Sequence, residues 1–152
     1  MKKIISHRGN LIGTDTSNEN KPKFIDAAIN KGFDVEVDVW ELPNGWFLGH
    51  DEPEYQIDLQ FITSRSEVLW CHAKNFKSLN TMLELGVVCF WHESDKVVLT
   101  SNGFMWTFPG YELTSKSICV IPERFAASFQ KITECYGICT DFPIRFSNEL
   151  NL

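Results

Sequence analysis

Acidic and apolar residues alternate one by one along the stretch from Phe33 to Trp40. Alternation with a period of two predicts a β-strand, because alternate side chains of a strand share a face. The three acids, Asp34, Glu36 and Asp38, would therefore point one way and three valines the other. The pattern alone leaves open an ordinary edge strand whose acids face water.

Other parts of the chain give simpler helix and strand signals. Proline at the start and glycine after the end favour a helix over residues 22–31, and further helices are expected over 76–85 and about 125–135. Apolar runs predict strands at residues 3–6, 46–48, 68–74, 87–92, 96–100, 104–107, 117–121 and 137–141. Polar segments at 10–21 and 51–58 predict loops, with a half-turn of helix near 59–62.

The order of these segments predicts the fold class. Strand, helix, strand is the order at both ends of the chain, which favours parallel pairing with right-handed crossovers. Apart from the short return strand at 46–48, eight strands are expected, and some connections between them are too short for full helices. We therefore predict a small (β/α)8 TIM-type barrel with several outer helices shortened or missing, with an open α/β sheet as the alternative. No linker or repeat is visible, so a single domain over residues 1–152 is expected.

Composition removes several classes of function. Hydrophobic residues make up 43% of the chain and charged residues 22%, which is typical of a globular protein. The net charge of −6 disfavours nucleic-acid binding. No segment approaches the ~20 apolar residues of a membrane span, and the N-terminus has no apolar signal-peptide core, so we expect a cytoplasmic protein. The five cysteines lack CxxC spacing and are expected to be buried thiols. Nothing in the sequence indicates the oligomeric state.

Histidines mark the ends of the predicted strands. All four lie at or near a carboxyl-terminal strand end: His7, His50, His72 and His92. Active sites of parallel α/β proteins are built at these ends, and histidine performs acid–base chemistry near neutral pH. We therefore expect at least two of these histidines to act together.

Charged residues near the histidines indicate a cation and a phosphate. Glu36 and Asp38 are two residues apart on one strand face, a spacing that lets both reach one Mg²⁺ or Ca²⁺. Arg8 offers a two-pronged donor for a phosphate group. His72 and Lys74 repeat the two-residue spacing, either as a further metal ligand and a phosphate contact or as a tolerated polar pair at a strand end.

Five short motifs follow one another along nearly the whole chain: His7-Arg8-Gly9, Glu19-Asn20, Glu36-Val37-Asp38, Gly49-His50-Asp51 and Gly137-Ile138-Cys139-Thr140-Asp141-Phe142-Pro143. In this order they resemble the glycerophosphodiester phosphodiesterase family. The resemblance implies a (β/α)8 barrel with a divalent ion at the strand ends.

The resemblance also implies residue roles. His7 and His50 would be the general acid–base pair, and Arg8 would bind the phosphate. Glu36 and Asp38 would hold Mg²⁺ or Ca²⁺. Asn20 would contact substrate, and Glu19 would steady or ligate the metal.

One motif departs from the family pattern. Family members carry Glu-x-Lys on the third strand, whose Glu is a metal ligand, whereas this chain has His72-Ala73-Lys74. Histidine is a softer ligand and suits Mn²⁺ or Zn²⁺ better than Ca²⁺. Lys74 keeps its place as a predicted phosphate contact.

These observations predict metal-dependent hydrolysis of a small phosphodiester by two histidines. Within enzymes, the alternative is a lyase of the phospholipase D toxin type that stops at a cyclic phosphate. The alternative outside enzymes is a non-catalytic module that binds phosphate esters.

Overall fold

The structure is a computed structural model that describes residues 2–125 and 132–151. The strands are β1 (Lys3–His7), β2 (Asp34–Leu42), β3 (Gly45–Leu48), β4 (Tyr55–Ile57), β5 (Leu69–Ala73), β6 (Cys89–Phe90), β7 (Val97–Leu99), β8 (Met105–Thr107), β9 (Ser117–Val120) and β10 (Gly137–Thr140). The helices are α1 (Pro22–Asn30), α2 (Leu59–Thr63), α3 (Phe76–Glu84) and α4 (Pro143–Glu149), and a 3₁₀ turn covers Pro122–Arg124. The helix predicted at about 125–135 lies for most of its length outside the described residues.

All ten strands belong to one curled sheet. Its main path runs β4-β3-β2-β1-β10-β9-β8-β7, and β5 and β6 continue the sheet from β2. The pairs along β6-β5-β2-β1-β10-β9-β8 are all parallel. The carboxyl ends of these seven strands therefore meet at one edge of the sheet, as predicted.

A complete eight-stranded parallel barrel is not confirmed. The strand expected at 96–100 is β7, and it pairs antiparallel with β8. Within the described ranges no strand ladder joins β6 to β7 or β8, although the Ser101 N–H donates to the Cys89 carbonyl at 2.9 Å. Only residues 91–96 separate β6 from β7, whereas a parallel crossover needs a dozen residues or more. The result is a half-barrel in which β7, the fifth of the eight expected strands, forms a hairpin with β8.

Local differences from the sequence-based expectations have simple causes. Residues 51–58 were expected to be a loop, but β4 forms there because Tyr55 pairs with Leu48 and extends the hairpin of β2 and β3. Helix α4 was not predicted, although Pro143 stands at its first turn, where proline is favoured. None of the helices in the two described ranges is both long enough and apolar enough to cross a bilayer.

The alternating residues of β2 separate two buried environments. Val35, Val37 and Val39 are fully buried and pack with Ile25 of α1 and Met82 of α3 on the outer side of the sheet. The acids face the other side and are also buried, which excludes the solvated edge strand. All five cysteines are buried without disulfides, as expected.

Candidate active site

Strand register brings the predicted residues to one place. His7 at the end of β1 lies beside Glu36 of β2, and Asp38 of β2 lies beside His72 of β5. A cavity of about 190 Å³ opens at these strand ends. Its polar wall consists of His7, Arg8, Glu36, His50, His72 and His92.

His7 is held by Asp141. The His7 Nδ1 lies 2.7 Å from an oxygen of Asp141, and the side chains of Asn10 and Thr14 also donate to this carboxylate at 2.8 and 2.5 Å. Burial opposes ionisation of Asp141, but these hydrogen bonds, His7 first, lower its pKa to about 2. Burial alone would lower the pKa of His7, yet Asp141 and the charge of Glu36 outweigh it and raise that pKa.

Asp141 is a site residue that the sequence-based assignment missed. It lies within the last of the five motifs, where no role was given to it. The usable signal is topological, because β10 pairs with β1 and Thr140 lies opposite Ser6. The next residue along each strand, Asp141 after Thr140 and His7 after Ser6, is therefore found at the same end of the sheet.

Arg8 reaches three groups from a strained backbone position. Its φ of 54° is in the left-handed region, which non-glycine residues rarely adopt outside functional or constrained sites. The guanidinium donates to Glu19 at 3.0 Å and to His50 Nδ1 at 2.6 Å. Its Nε is also 3.0 Å from Asp38 Oδ2, an ion pair in which the N–H does not point at the oxygen.

His50 lies on a tight turn that requires glycine. Gly49 has φ of 152°, and a Cβ there would lie 2.0 Å from the carbonyl oxygen of Glu52. Its own carbonyl accepts a 2.7 Å hydrogen bond from the Trp40 indole. The turn leaves the His50 side chain 40% exposed, whereas that of His7 is 9% exposed. The two predicted catalytic histidines therefore lie at different depths.

The carboxylate of Asp38 is surrounded by basic side chains. His72 Nδ1 lies 2.9 Å from one carboxylate oxygen, and His50 Nδ1 lies 3.3 Å from the other. Burial would raise the pKa of Asp38, but the contacts with these two histidines and the charge of Arg8 hold it well below its usual value. Asp38 is therefore ionised although it is fully buried.

Asn20 and Lys74 both approach Asp38, but from different sides. Asn20 donates to an Asp38 oxygen at 2.9 Å and accepts from the Asp38 backbone N–H at 3.0 Å, so both ends of its amide are engaged. Lys74 Nζ is 3.7 Å from the carboxylate and lines an adjoining cavity of about 270 Å³. The structure thus places these two predicted substrate contacts behind and beside Asp38 rather than on the wall of the main cavity.

Glu36 is the least satisfied group of the site. Its Oε2 is buried with no hydrogen-bond partner among the described residues, and His7 Nε2 lies 3.9 Å away. Burial, followed by the charge of Asp38, raises its pKa. A buried carboxylate oxygen without a partner is costly unless a cation or donor completes it.

The arrangement fits a divalent cation. Ligand atoms of Glu36, Asp38 and His72 all lie within 4.8 Å of one another. His72 Nε2 is 3.2 Å from the carbonyl oxygen of His92, so both ring nitrogens of His72 face oxygen acceptors. A neutral imidazole donates from one nitrogen only, and a ligating histidine commonly donates its other N–H to a carbonyl. A cation beside Nδ1 would satisfy both His72 and Glu36.

Glu19 belongs to a neighbouring cluster. It accepts from Arg8 at 3.0 Å and from Asn10 at 2.8 Å. Its carboxylate groups with His7 and Asp141 as a second possible set of metal ligands, separate from Glu36 and Asp38. The structure therefore gives Glu19 a position beside Arg8, and its predicted contact with the metal stays a prediction.

His92 is a further member of the polar wall. Its ring stacks on that of His72 at 4.4 Å between centroids and 3° between planes. Burial, followed by the nearby His72 and Lys74, lowers the pKa of His92 to about 4. The His92 side chain is therefore neutral at neutral pH. In the sequence, its position at the end of a predicted strand is what indicates that it belongs to the site.

The fold and the strand-end site define an α/β half-barrel of the TIM type. Comparison with protein-family models found no match, and none of the curated proteins matches the sequence. A solved structure described as glycerophosphodiester phosphodiesterase from Agrobacterium tumefaciens str. C58 is similar, with 14% sequence identity, a TM-score of 0.55 and full coverage of both chains. This similarity supports, at the level of the fold, the resemblance seen in the sequence.

Proposed function

We propose that this chain hydrolyses a small phosphodiester with the help of a divalent cation, and that residues 1–152 act as one phosphodiesterase-like unit. The observation that carries the proposal is the pair His7 and His50 in one cavity, with His7 next to Glu36 and His50 next to Arg8 and Asp38. Hydrolysis of a diester needs one group to accept a proton, one to donate a proton and positive charge for the phosphate. The site provides all three.

We assign the acid role to His7. Its raised pKa and its hydrogen bond to Asp141 favour the protonated ring. His7 would give the proton on Nε2, the nitrogen that does not face Asp141, to the ester oxygen of the departing alcohol as the phosphorus–oxygen bond breaks. Asp141 would stabilise the charged ring before transfer and keep its orientation.

We assign the base role to His50. The Nη2 of Arg8 lies 2.6 Å from His50 Nδ1 and 3.2 Å from its Nε2. When Arg8 contacts the phosphate oxygens instead, a ring nitrogen of His50 would be free to take a proton. The more exposed position of His50 suits removal of a proton from the attacking hydroxyl of water or of the substrate itself. Arg8 would contact the phosphate oxygens, and Lys74 would add positive charge from the adjoining cavity.

Glu36, Asp38 and His72 would hold the cation. When bound, it would supply positive charge that neutralises the phosphate and lowers the barrier to attack. Mg²⁺ or Ca²⁺ suits the two carboxylates, and Mn²⁺ or Zn²⁺ suits the set better if His72 is a ligand.

The proposal is tested by measuring release of p-nitrophenol from bis(p-nitrophenyl) phosphate with each of these four ions and with a chelator. We expect turnover with at least one ion, loss of turnover with the chelator, and loss of turnover in Glu36→Gln. The matched control is Glu84→Gln, an exposed glutamate at the end of α3. Absence of turnover with every ion would overturn the proposal, and equal turnover in Glu36→Gln would overturn the metal site.

A further inference from the structure

Part of the cavity wall is apolar. It is formed by Val98, Trp106, Phe108, Val120 and Ile121. These residues belong to β7, β8 and β9 or directly follow them. This part of the sheet therefore supplies hydrocarbon and aromatic surface to the cavity, and the charged lining residues near it, Asp95 and Arg124, are exposed.

This apolar wall is buried and tightly packed at its centre. Trp106 is 6% exposed and stacks on Phe90 at 4.5 Å between ring centroids, with Trp70 at 6.1 Å. Phe108 is 42% exposed and forms the rim. A bound group would therefore meet a fixed aromatic surface in the interior and an adjustable ring at the edge.

The described residues that line the cavity include no serine, threonine, asparagine, glutamine or tyrosine. A polyol placed against the apolar wall would bury hydroxyl groups without partners, which is unfavourable. An apolar group placed there would gain from leaving water and from contact with aromatic faces.

The size of the cavity limits what enters. At about 190 Å³ the cavity is small for a ligand site, since such pockets commonly measure about 300–1,000 Å³. It accommodates a phosphate and one small substituent. Part of the cavity is lined by solvent-accessible side chains, those of His50, Asp95 and Arg124. The second alcohol of a diester would therefore extend past them into solvent.

We propose that the alcohol enclosed by this site is a small apolar or aromatic one, not a polyol such as glycerol, and that Trp106 and Phe108 select it. The inference rests on the proposed function, because it places the phosphate at Arg8. It names the substrate class that the motifs leave open.

Binding of phosphate monoesters tests this directly, since their affinity does not depend on turnover. We would measure the Kd of inorganic phosphate, glycerol 3-phosphate, n-pentyl phosphate and phenyl phosphate by calorimetry with the full chain. The pentyl and glycerol esters have equal numbers of heavy atoms beyond the ester oxygen. We expect the pentyl and phenyl esters to bind about tenfold or more tightly than the glycerol ester.

A pair of phenylalanine variants locates the effect. Phe108→Ala is expected to weaken binding of the pentyl and phenyl esters about fivefold and to leave inorganic phosphate unchanged. Phe76→Ala removes an equally large ring that is 70% exposed on α3. It is expected to change neither the binding of the pentyl and phenyl esters nor that of inorganic phosphate. Val98→Thr adds a hydroxyl to the wall and should narrow the difference between pentyl and glycerol esters.

Two results overturn the inference in distinguishable ways. If inorganic phosphate and glycerol 3-phosphate bind but the apolar esters bind no more tightly, the proposed alcohol is wrong while the phosphate site stands. The same holds if Phe108→Ala behaves like Phe76→Ala. If no phosphate compound binds at all, the proposed function fails together with the inference.

Discussion

The surroundings of His7 and His50 show how one residue type can be prepared for two tasks. His7 is buried against a carboxylate that is itself fixed by Asn10 and Thr14, so its charged form is stabilised. The His50 side chain is 40% exposed on a glycine turn and faces the guanidinium of Arg8. Environments that separate the proton affinities of two groups are a general way to assign an acid and a base.

The largest expected effect is the loss of either histidine. His7→Asn and His50→Asn should each lower kcat/KM for a dialkyl or glycerol phosphodiester by about 10³-fold, because each removes one proton transfer. The two variants should differ in rate with a p-nitrophenyl ester, because its leaving group needs no proton. His7→Asn should then recover much of its rate, and His50→Asn should not.

Circular dichroism of both variants checks that the fold is kept, and Phe76→Ala serves as a variant remote from the site. Recovery in His50→Asn instead of His7→Asn would reverse the two roles. Unchanged turnover in either variant with every substrate would remove that histidine from the mechanism.

A smaller effect is expected when the support of His7 alone is removed. Asp141→Asn should lower kcat by about 10²-fold, the usual scale for a residue that orients a functional histidine. It also removes the group that raises the pKa of His7. The limb of the pH–rate profile that reports the protonated acid should therefore move to lower pH, whereas Asp51→Asn, a change of an exposed acid near His50, should leave this limb in place. An unshifted limb in Asp141→Asn would contradict the pairing.

The smallest predicted effect concerns stability. The raised pKa of His7 means that its contribution is complete below an unfolded value of ~6.5 and is lost as the pH rises through the folded value. The pKa of Asp141, about 2, means that its contribution is present above ~3.9 and is lost as the pH falls towards 2. The charged pair should therefore stabilise the fold most between about pH 4 and 6.5.

Urea unfolding of the wild type and Asp141→Asn at pH 5.5 and pH 9 measures this contribution. The variant should lose about 1–3 kcal/mol at pH 5.5, as expected for a buried hydrogen bond to a charged group, and less at pH 9. An equal loss at both pH values would show that His7 is not charged in the folded protein.

Sequence patterns predicted the polar half of the site well, for a physical reason. The alternation in β2 and the histidines at strand ends are local signals, and parallel pairing brings such ends together whatever the details of the loops. His7, Glu36, Asp38 and His72 meet as their positions in the strands require. Their proposed chemical roles are predictions that the experiments above address.

The remaining features depend on contacts between distant residues. The pairing of His7 with Asp141 joins the first and last strands, and no local pattern distinguishes it from a capping aspartate. β7 pairs antiparallel with β8 because the segment after β6 is too short for a crossover. The apolar patterns that predict strands do not take the length of the connection into account. The apolar wall also depends on the fold, because Val98, Trp106 and Ile121 are typical of a core strand and the tertiary structure brings them to the cavity.

The central claim is that this site cleaves phosphodiesters by means of His7 and His50. It is tested most directly by phosphorus NMR of a glycerophosphodiester and of an alkyl phenyl phosphodiester, each incubated with the wild type, His7→Asn or His50→Asn and a divalent ion. The account predicts that the wild type converts the diester signal of at least one of them to that of a monoester, and that both variants leave it unchanged. A cyclic phosphate that accumulates would identify the lyase alternative. Persistence of both diesters with Mg²⁺, Ca²⁺, Mn²⁺ and Zn²⁺ would contradict the claim and favour a non-catalytic module that binds phosphate esters.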